Sequence, residues 1–261
     1  MNLSLEGRQA LVCGASQGIG LAAAKELAGL GARVTLLARN EESLKKACAT
    51  LPEVTSGDHD YAVVDFSNSE GVGEVARDLA AKHNYDILIN NTGGPAGGPI
   101  SEASPSAFVA TFEQHLLCNH HLVGALLPGM RERGHGRIVN VISTSVKAPL
   151  NNLGVSNTIR GAVANWSKTL ANEEGKHGIR VNNVLPGATK TGRLQGILEA
   201  KSAKTSKSME EIRKGMISAV PAGRFGEPEE VGSAIAFLCT PAADYISGIN
   251  LPVDGGRTAS L

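Results

Sequence analysis

The sequence lacks most of the features that would commit it to a special environment. Its four cysteines, Cys13, Cys48, Cys118 and Cys239, stand far apart, with no CxxC pair and no cysteine–histidine cluster. That argues against a disulfide framework and predicts no metal site; the cysteines read as small buried hydrophobes in a reducing compartment. No apolar run approaches the roughly 20 residues a bilayer span needs, and the N-terminus carries no basic, apolar signal segment. A cytoplasmic protein without a membrane partner is therefore expected. An excess of one charge sign is missing as well, because 25 Lys and Arg balance 25 Asp and Glu over the 261 residues. Nucleic acid as the main partner would need a basic field, whereas a small anionic ligand needs only a local cluster of cations. There is no Pro- or Ser-rich linker, no internal repeat and no low-complexity tract, so residues 1–261 are expected to form one domain.

What is present is an alternation. Seven short apolar runs, "QALVC" (9–13), "RVTLL" (33–37), "YAVVD" (61–65), "DILIN" (86–90), "RIVNVI" (137–142), "IRVNNVL" (179–185) and "NLPVD" (250–254), read as strands. Their nearly continuous hydrophobicity suits a sheet covered on both faces. Helical periodicity fills the intervals at about 19–30, 41–50, 69–83, 106–131, 155–177 and 229–239. Strands alternating with helices, joined by right-handed crossovers, predict an α/β doubly wound fold of the Rossmann type: a seven-stranded parallel sheet with helices on both faces. Residues 192–220 interrupt the alternation with a polar stretch rich in Lys and Ser. It follows a strand's C-terminal end, where such sheets bind ligands, so it reads as a small substrate lid, or else as a solvated helix pair.

Chemistry begins at "CGASQGIG" (13–20), which follows the first strand and opens the first helix. Gly14 permits a tight turn, Gly18 lets backbone approach a pyrophosphate, and Gly20 lets the helix pack on the strand. Ser16, Gln17 and Ile19 fill the turn, and the helix N-terminus offers oriented N–H groups to an anion. A glycine trio alone is weak, since loops collect glycine for turns; the strand–turn–helix context makes it strong. The end of the second strand then selects the dinucleotide. An acid there would bind the ribose 2′-OH and repel a 2′-phosphate, but the chain has Ala38 and Arg39. A guanidinium donates to phosphate in pairs, so NADP(H) is expected over NAD(H); otherwise Arg39 is an ordinary surface residue opening a helix.

Together with this turn, Asp65, "NNTGG" (90–94), "RIVNVIS" (137–143), "LPGATKT" (185–191) and "VDGG" (253–256) resemble the short-chain dehydrogenase/reductase family, with family spacing over nearly the whole chain. The resemblance implies that Asp65 and Phe66 flank the adenine and that Asn91, Thr92 and Gly93 line the ribose wall. It implies that Pro186, Gly187, Thr189 and Thr191 hold the nicotinamide carboxamide. It also implies a homotetramer joined through 106–131 and 155–177. Cys13 stands where the family usually has Thr.

One family feature is missing. Members reduce a carbonyl with Asn, Ser, Tyr and Lys, and Ser143 falls on the Ser position. At family spacing the Tyr position is Ser156, the Lys position Arg160 and the Asn position His115. The tyrosines are Tyr61, Tyr85 and Tyr245, so no shift of register supplies one between 86 and 244. Ser156 is shorter than a phenol and far less acidic, which makes it a poor general acid. Arg160 keeps a positive charge one helical turn away, able to meet ribose hydroxyls or an anionic substrate. Substitute proton donors are His115, Lys147 and the substrate itself. A histidine at 115 titrates in a useful range, but one histidine on a buried helix face is more often a core residue. Lys147 reads as a carboxylate anchor or donor, or as a solvated loop residue. Ser143, Lys147 and Arg160 are expected to converge beside the nicotinamide. His120 and His121 read as interface or surface residues, and Trp166 as core or interface.

Two functions compete. One is an NADP(H)-dependent oxidoreductase with an atypical acid/base site, reducing a carbonyl or a polarised C=C bond of a small substrate, anions such as acyl-carrier thioesters or acids included. The other is a nucleotide-binding regulatory or scaffold protein that has lost turnover; the fold does not choose between them. Lys201, Lys204 and Lys207 lean towards an anion if they face the cleft.

Overall fold

The computed structural model describes residues 1–55 and 57–260. The seven expected runs form strands β1 (Gln9–Cys13), β2 (Arg33–Ala38), β3 (Asp60–Val63), β4 (Ile87–Asn90), β5 (Gly136–Val141), β6 (Ile179–Pro186) and β7 (Asn250–Val253). They make one sheet in the order β3-β2-β1-β4-β5-β6-β7, with every neighbouring pair parallel. The chain winds outward on one side of β1 and then returns to wind the other way from β4. A crevice therefore opens at the carboxyl ends of β1 and β4, where ligands bind in such sheets.

The period of two in the strands divides the core. Ala10 and Val12 face one side with Val34, Leu36 and Ile89; Leu11 and Cys13 face the other with Leu37 and Leu88. Helices α1 (Gly18–Gly29) and α9 (Pro228–Cys239) cover the first side, while α3 (Ser69–Lys82) and α5 (Cys118–Arg133) cover the second. Each fully buried aliphatic side chain contributes about 1.5–3 kcal/mol. Crossing β4 to β7 is a polar row set by register. Asn90 donates to Asn140 (2.8 Å), Asn140 to Asn183 (3.0 Å) and Asn183 to Asn250 (2.8 Å), with a second Asn140 bond to the Ser167 hydroxyl.

Helix α2 (Glu41–Cys48) is capped by Asn40. The single helix expected over 106–131 is corrected to three pieces: α4 (Pro105–Phe112), a π turn (Glu113–Leu117) and α5. The extra backbone residue of a π turn rotates the following helix and breaks an otherwise continuous apolar face. Helix α6 (Gly154–Glu174) ends in a 3-10 turn, Gly175–His177. The stretch expected as a lid is a helix pair, α7 (Gly192–Lys204) and α8 (Met209–Ile217), with its own apolar cluster of Leu194, Leu198, Ile212 and Phe225.

All four cysteines are free thiols; Cys13, Cys118 and Cys239 are buried and Cys48 is half-buried. Among the described residues no group of His, Cys, Asp and Glu is placed to hold a metal ion, and no helix is long and apolar enough to cross a membrane.

Candidate active site

The turn after β1 has little room for any residue but glycine. Gly14 takes φ +58°, and a Cβ on it would stand 2.4 Å from the Asn91 carbonyl oxygen. A Cβ on Gly20 would stand 2.3 Å from the Gly14 carbonyl oxygen. Asn91 closes the arrangement by donating its side-chain amide to Cys13 O (3.2 Å) and Gly14 O (3.3 Å). The backbone of the turn is held to β2 by Ala15 N–H donating to Leu37 O at 3.2 Å.

Helices α2, α3, α4, α8 and α9 have caps or capping boxes, but α1 begins with no side-chain cap and no acid in its first turn. Helix α7 likewise starts uncapped, behind Thr191. The two N-termini face one another, since a Cβ on Gly18 would lie 3.3 Å from Thr191 Cγ2. Two open helix N-termini make a positive cleft suited to a pyrophosphate. Beside it lies a cavity of about 680 Å³ whose lining includes Gln17, Gly18, Lys190, Thr191, Leu198 and Phe225.

The carboxyl end of β2 follows the same edge. Arg39 is exposed at the end of β2, and Asn40 beside it caps α2 by accepting from Ser43 N–H at 2.8 Å. Asp65 accepts from Ser67 N–H at 2.9 Å, and those bonds, with the nearby charge of Arg39, hold its carboxyl below the usual range. Phe66, expected beside the adenine, is buried in the core cluster that also holds Leu37, Val64 and Val72. The loop after β6 is stitched on both sides. Gly187 N–H donates to Val253 O (2.9 Å) and Lys190 N–H to Gly226 O (2.9 Å), while Thr189 donates to Gly187 O (3.2 Å). Pro186 ends β6, and Gly187 packs so tightly that a Cβ would lie 2.7 Å from the Asp254 Cα.

At the centre of the crevice, the π turn carries His115 inward. Its Nδ1 lies 2.8 Å from the Thr92 hydroxyl, and its Nε2 is buried without a protein partner. Burial, then the charges of Arg160 and Arg193, lower its pKa to about 3. Arg160 is buried on α6 with Ser156 one turn before it, and it donates from Nη1 to Val141 O at 3.0 Å. Burial, and then Arg193, lower the Arg160 pKa to about 10, still well above neutrality.

Ser143 follows two residues after Val141, and its hydroxyl accepts from Ser145 N–H at 3.1 Å. Lys147 is half-buried and closes the 3-10 turn that follows Ser143. The structure thus brings Thr92, Gly93, His115 and Arg160 to one place. The cation acting on Arg160 is Arg193, which lies in the stretch read as a lid. Its sequence signal was a basic residue in the first turn of a helix, where the helix dipole disfavours it. Lys201, Lys204 and Lys207 are all exposed at the far end of the helix pair.

The His115 shift predicts a pH effect with a definite sign. Between its lowered value of about 3 and the ordinary 6.5, the unfolded chain takes up a proton that the folded chain does not. Stability therefore falls as pH drops through that window. His115→Gln is expected to flatten the decline by up to about 1.4 kcal/mol per pH unit, checked by urea unfolding of both proteins between about pH 4.5 and 7. Equal slopes would mean that His115 titrates normally.

Comparison with known proteins decides the family. The sequence profile described as "Enoyl-(Acyl carrier protein) reductase" matches residues 14–258. The chain belongs to the short-chain dehydrogenase/reductase family. A chloroplastic tropinone reductase homolog of Arabidopsis thaliana is 36% identical over 98% of this chain and 77% of its own length. Gluconate 5-dehydrogenase of Gluconobacter oxydans is 34% identical over 99% of this chain and 97% of its own. L-sorbose reductase of Gluconobacter frateurii, solved with NADPH and L-sorbose, superimposes with a TM-score of 0.92 at 32% identity, covering 100% of each chain. The expected fold and the reading as a short-chain oxidoreductase are both borne out by these relatives.

Proposed function

We propose that this short-chain dehydrogenase/reductase is NADP(H)-dependent and reduces a carbonyl or a polarised C=C bond of a small substrate without a catalytic tyrosine. The observation that carries this is the cradle between the uncapped ends of α1 and α7, with Arg39 at its ribose end and no acid at the same position. The cofactor bound to the Gluconobacter frateurii relative, NADPH, supports the same choice. When bound, the nicotinamide supplies a hydride.

The protein's own part is binding, orientation and proton handling. The first-turn N–H groups of α1 and Thr191 would hold the pyrophosphate, and Gly93, exposed, leaves room beside Thr92 for a ribose. Arg160 would hold ribose hydroxyls and keep positive charge at the reacting end. The Ser143 oxygen already accepts from Ser145 N–H, so its own proton remains free to donate to a substrate oxygen. Ser156 is buried one turn before Arg160, and its alcohol is too weak an acid to replace a phenol. The proton then comes from the Thr92–His115 pair, from Lys147 or from the substrate, and C=C reduction has the lighter requirement. The second reading, a nucleotide-binding regulatory protein, is favoured by the same Ser156.

A single domain closed by the 192–220 lid, in a cytoplasmic homotetramer, completes the proposal. Val109 (58% exposed) and Phe112 (38%) on α4, together with the Trp166 edge against His120, supply an apolar face for a second copy.

The test is NADPH oxidation against ketones, aldehydes and enones, with NADPH and NADH dissociation constants measured alongside. NADPH is expected to bind more tightly. Arg39→Ala should cost NADPH about 1–3 kcal/mol, as for a charge-assisted hydrogen bond, and leave NADH nearly unchanged. Equal affinities for the two cofactors would remove the assignment. Tight NADPH binding with no oxidation of any acceptor would favour the regulatory reading.

A further inference from the structure

The geometry points to a carboxylate site formed by Arg160 and Arg193 across Gly94, which makes the substrate an oxo acid or an unsaturated acid. The inference deepens the reductase reading above and takes its substrate class from it. The two guanidiniums come from distant elements, Arg160 from the buried face of α6 and Arg193 from the exposed start of α7. They meet at one glycine. The point where a Cβ on Gly94 would stand lies 2.9 Å from Arg193 Nη2 and 3.3 Å from Arg160 Nη2.

Arg193 is fixed there by two bonds, Nη1 to Gly94 O and Nη2 to Pro95 O, both 2.8 Å. These bonds strap the helix pair to the loop after β4. The same loop is held from the opposite side, where Gly98 N–H donates to Asn152 O at 2.8 Å and Gly154 N–H to Gly98 O at 3.2 Å. Arg193 therefore stands on a braced loop, while Arg160 is held from below by its bond to Val141 O.

Among the described residues no carboxylate pairs with either guanidinium, although ion pairs serve arginines elsewhere, as in Arg131–Glu174 and Arg224–Glu230. A buried guanidinium whose partners are one carbonyl and, with cofactor bound, uncharged ribose hydroxyls still stands uncompensated beside a second cation, which is costly unless an anion joins them. His115, on which the charges of both arginines act, is held neutral and offers no negative charge. The uncapped start of α7 adds its N–H groups to the same positive field. A planar carboxylate matches two guanidinium edges and would neutralise the pair. Arg160 lies at the floor and Arg193 at the rim, so an acid entering from solvent meets the rim first.

The experiment uses the full chain, with saturating NADP⁺ for the binding arm and NADPH as the reductant for the turnover arm. Calorimetry with malonate and with its neutral diamide reads the anion site, and reduction of acetoacetate and methyl acetoacetate reads turnover. Malonate should bind at least about tenfold more tightly than the diamide. Arg193→Gln should remove that preference while leaving NADP⁺ affinity unchanged, and Arg193→Lys should keep part of it. Gly94→Ala, which pushes between the two tips, should weaken malonate in the same way should Arg193→Gln fail to fold. Equal binding of malonate and diamide overturns the inference, as does a loss of NADP⁺ affinity in Arg193→Gln with malonate binding intact. Malonate selectivity without reduction of acid, ester or any of the ketones, aldehydes and enones named above would sink the reductase reading and leave the anion site standing. Reduction of the ester with no malonate selectivity would do the reverse.

Discussion

Gly20→Ala is expected to weaken NADPH binding on the order of 100-fold, because a misplacement of about 1 Å in a binding element has effects of that size. The added methyl would sit 2.3 Å from the Gly14 carbonyl oxygen and 2.7 Å from Asn91 Nδ2. Neither neighbour yields cheaply. The Gly14 carbonyl belongs to a turn held in a positive-φ conformation, and Asn91 Nδ2 is committed to two carbonyls of that turn. The start of α1 must therefore lift away from β1, carrying its open N–H groups off the phosphate position. Overpacking of this kind also costs about 1–3 kcal/mol of stability. The measurement is NADPH affinity by fluorescence, with urea unfolding in parallel. A folded variant that binds NADPH normally would show that α1 does not hold the cofactor.

Much of this was legible in the sequence because it is written in local chemistry. The strands declared themselves as apolar runs such as "RIVNVI", since a sheet covered on both faces needs no polar alternation. The turn at 13–20 was legible because glycine is the residue that tolerates both its φ angles and its close contacts. The π turn was not. Glu113–Leu117 is ordinary helical sequence, and no residue type in it marks the extra backbone residue. Arg193 was missed for a related reason. Its partners Gly94 and Pro95 are nearly a hundred residues away, so only the folded crevice shows that it meets Arg160. Phe66 is read beside the adenine by family resemblance alone, and its burial in one cluster with Val72, Ala76 and Leu122 is a packing fact that no local sequence signal states. The asparagines inside the strands looked like polar interruptions, and their meaning depends on a register that one strand cannot state.

That register carries the second large prediction. Asn140→Leu is expected to destabilise the chain by roughly 3–6 kcal/mol, although leucine nearly conserves the volume. Asn140 is fully buried, and its side chain serves three partners at once: the Asn90 amide, the Ser167 hydroxyl and the Asn183 carbonyl oxygen. The substitution leaves one donor and two acceptors buried without partners, each costing about 1–3 kcal/mol. Leucine regains some of this through apolar contact, which brings the upper end of the sum, about 9 kcal/mol, down to about 6. The sum is a large part of the 5–15 kcal/mol that typically holds a domain folded. The damage should also reach function, because Asn90 immediately precedes Asn91 and Thr92, which hold the glycine turn and His115. Urea unfolding gives the stability, and NADPH affinity measured well below the unfolding midpoint gives the functional share. A leucine variant as stable as the parent would mean that solvent reaches the row, and that apolar strand packing alone fixes the order of β4 to β7.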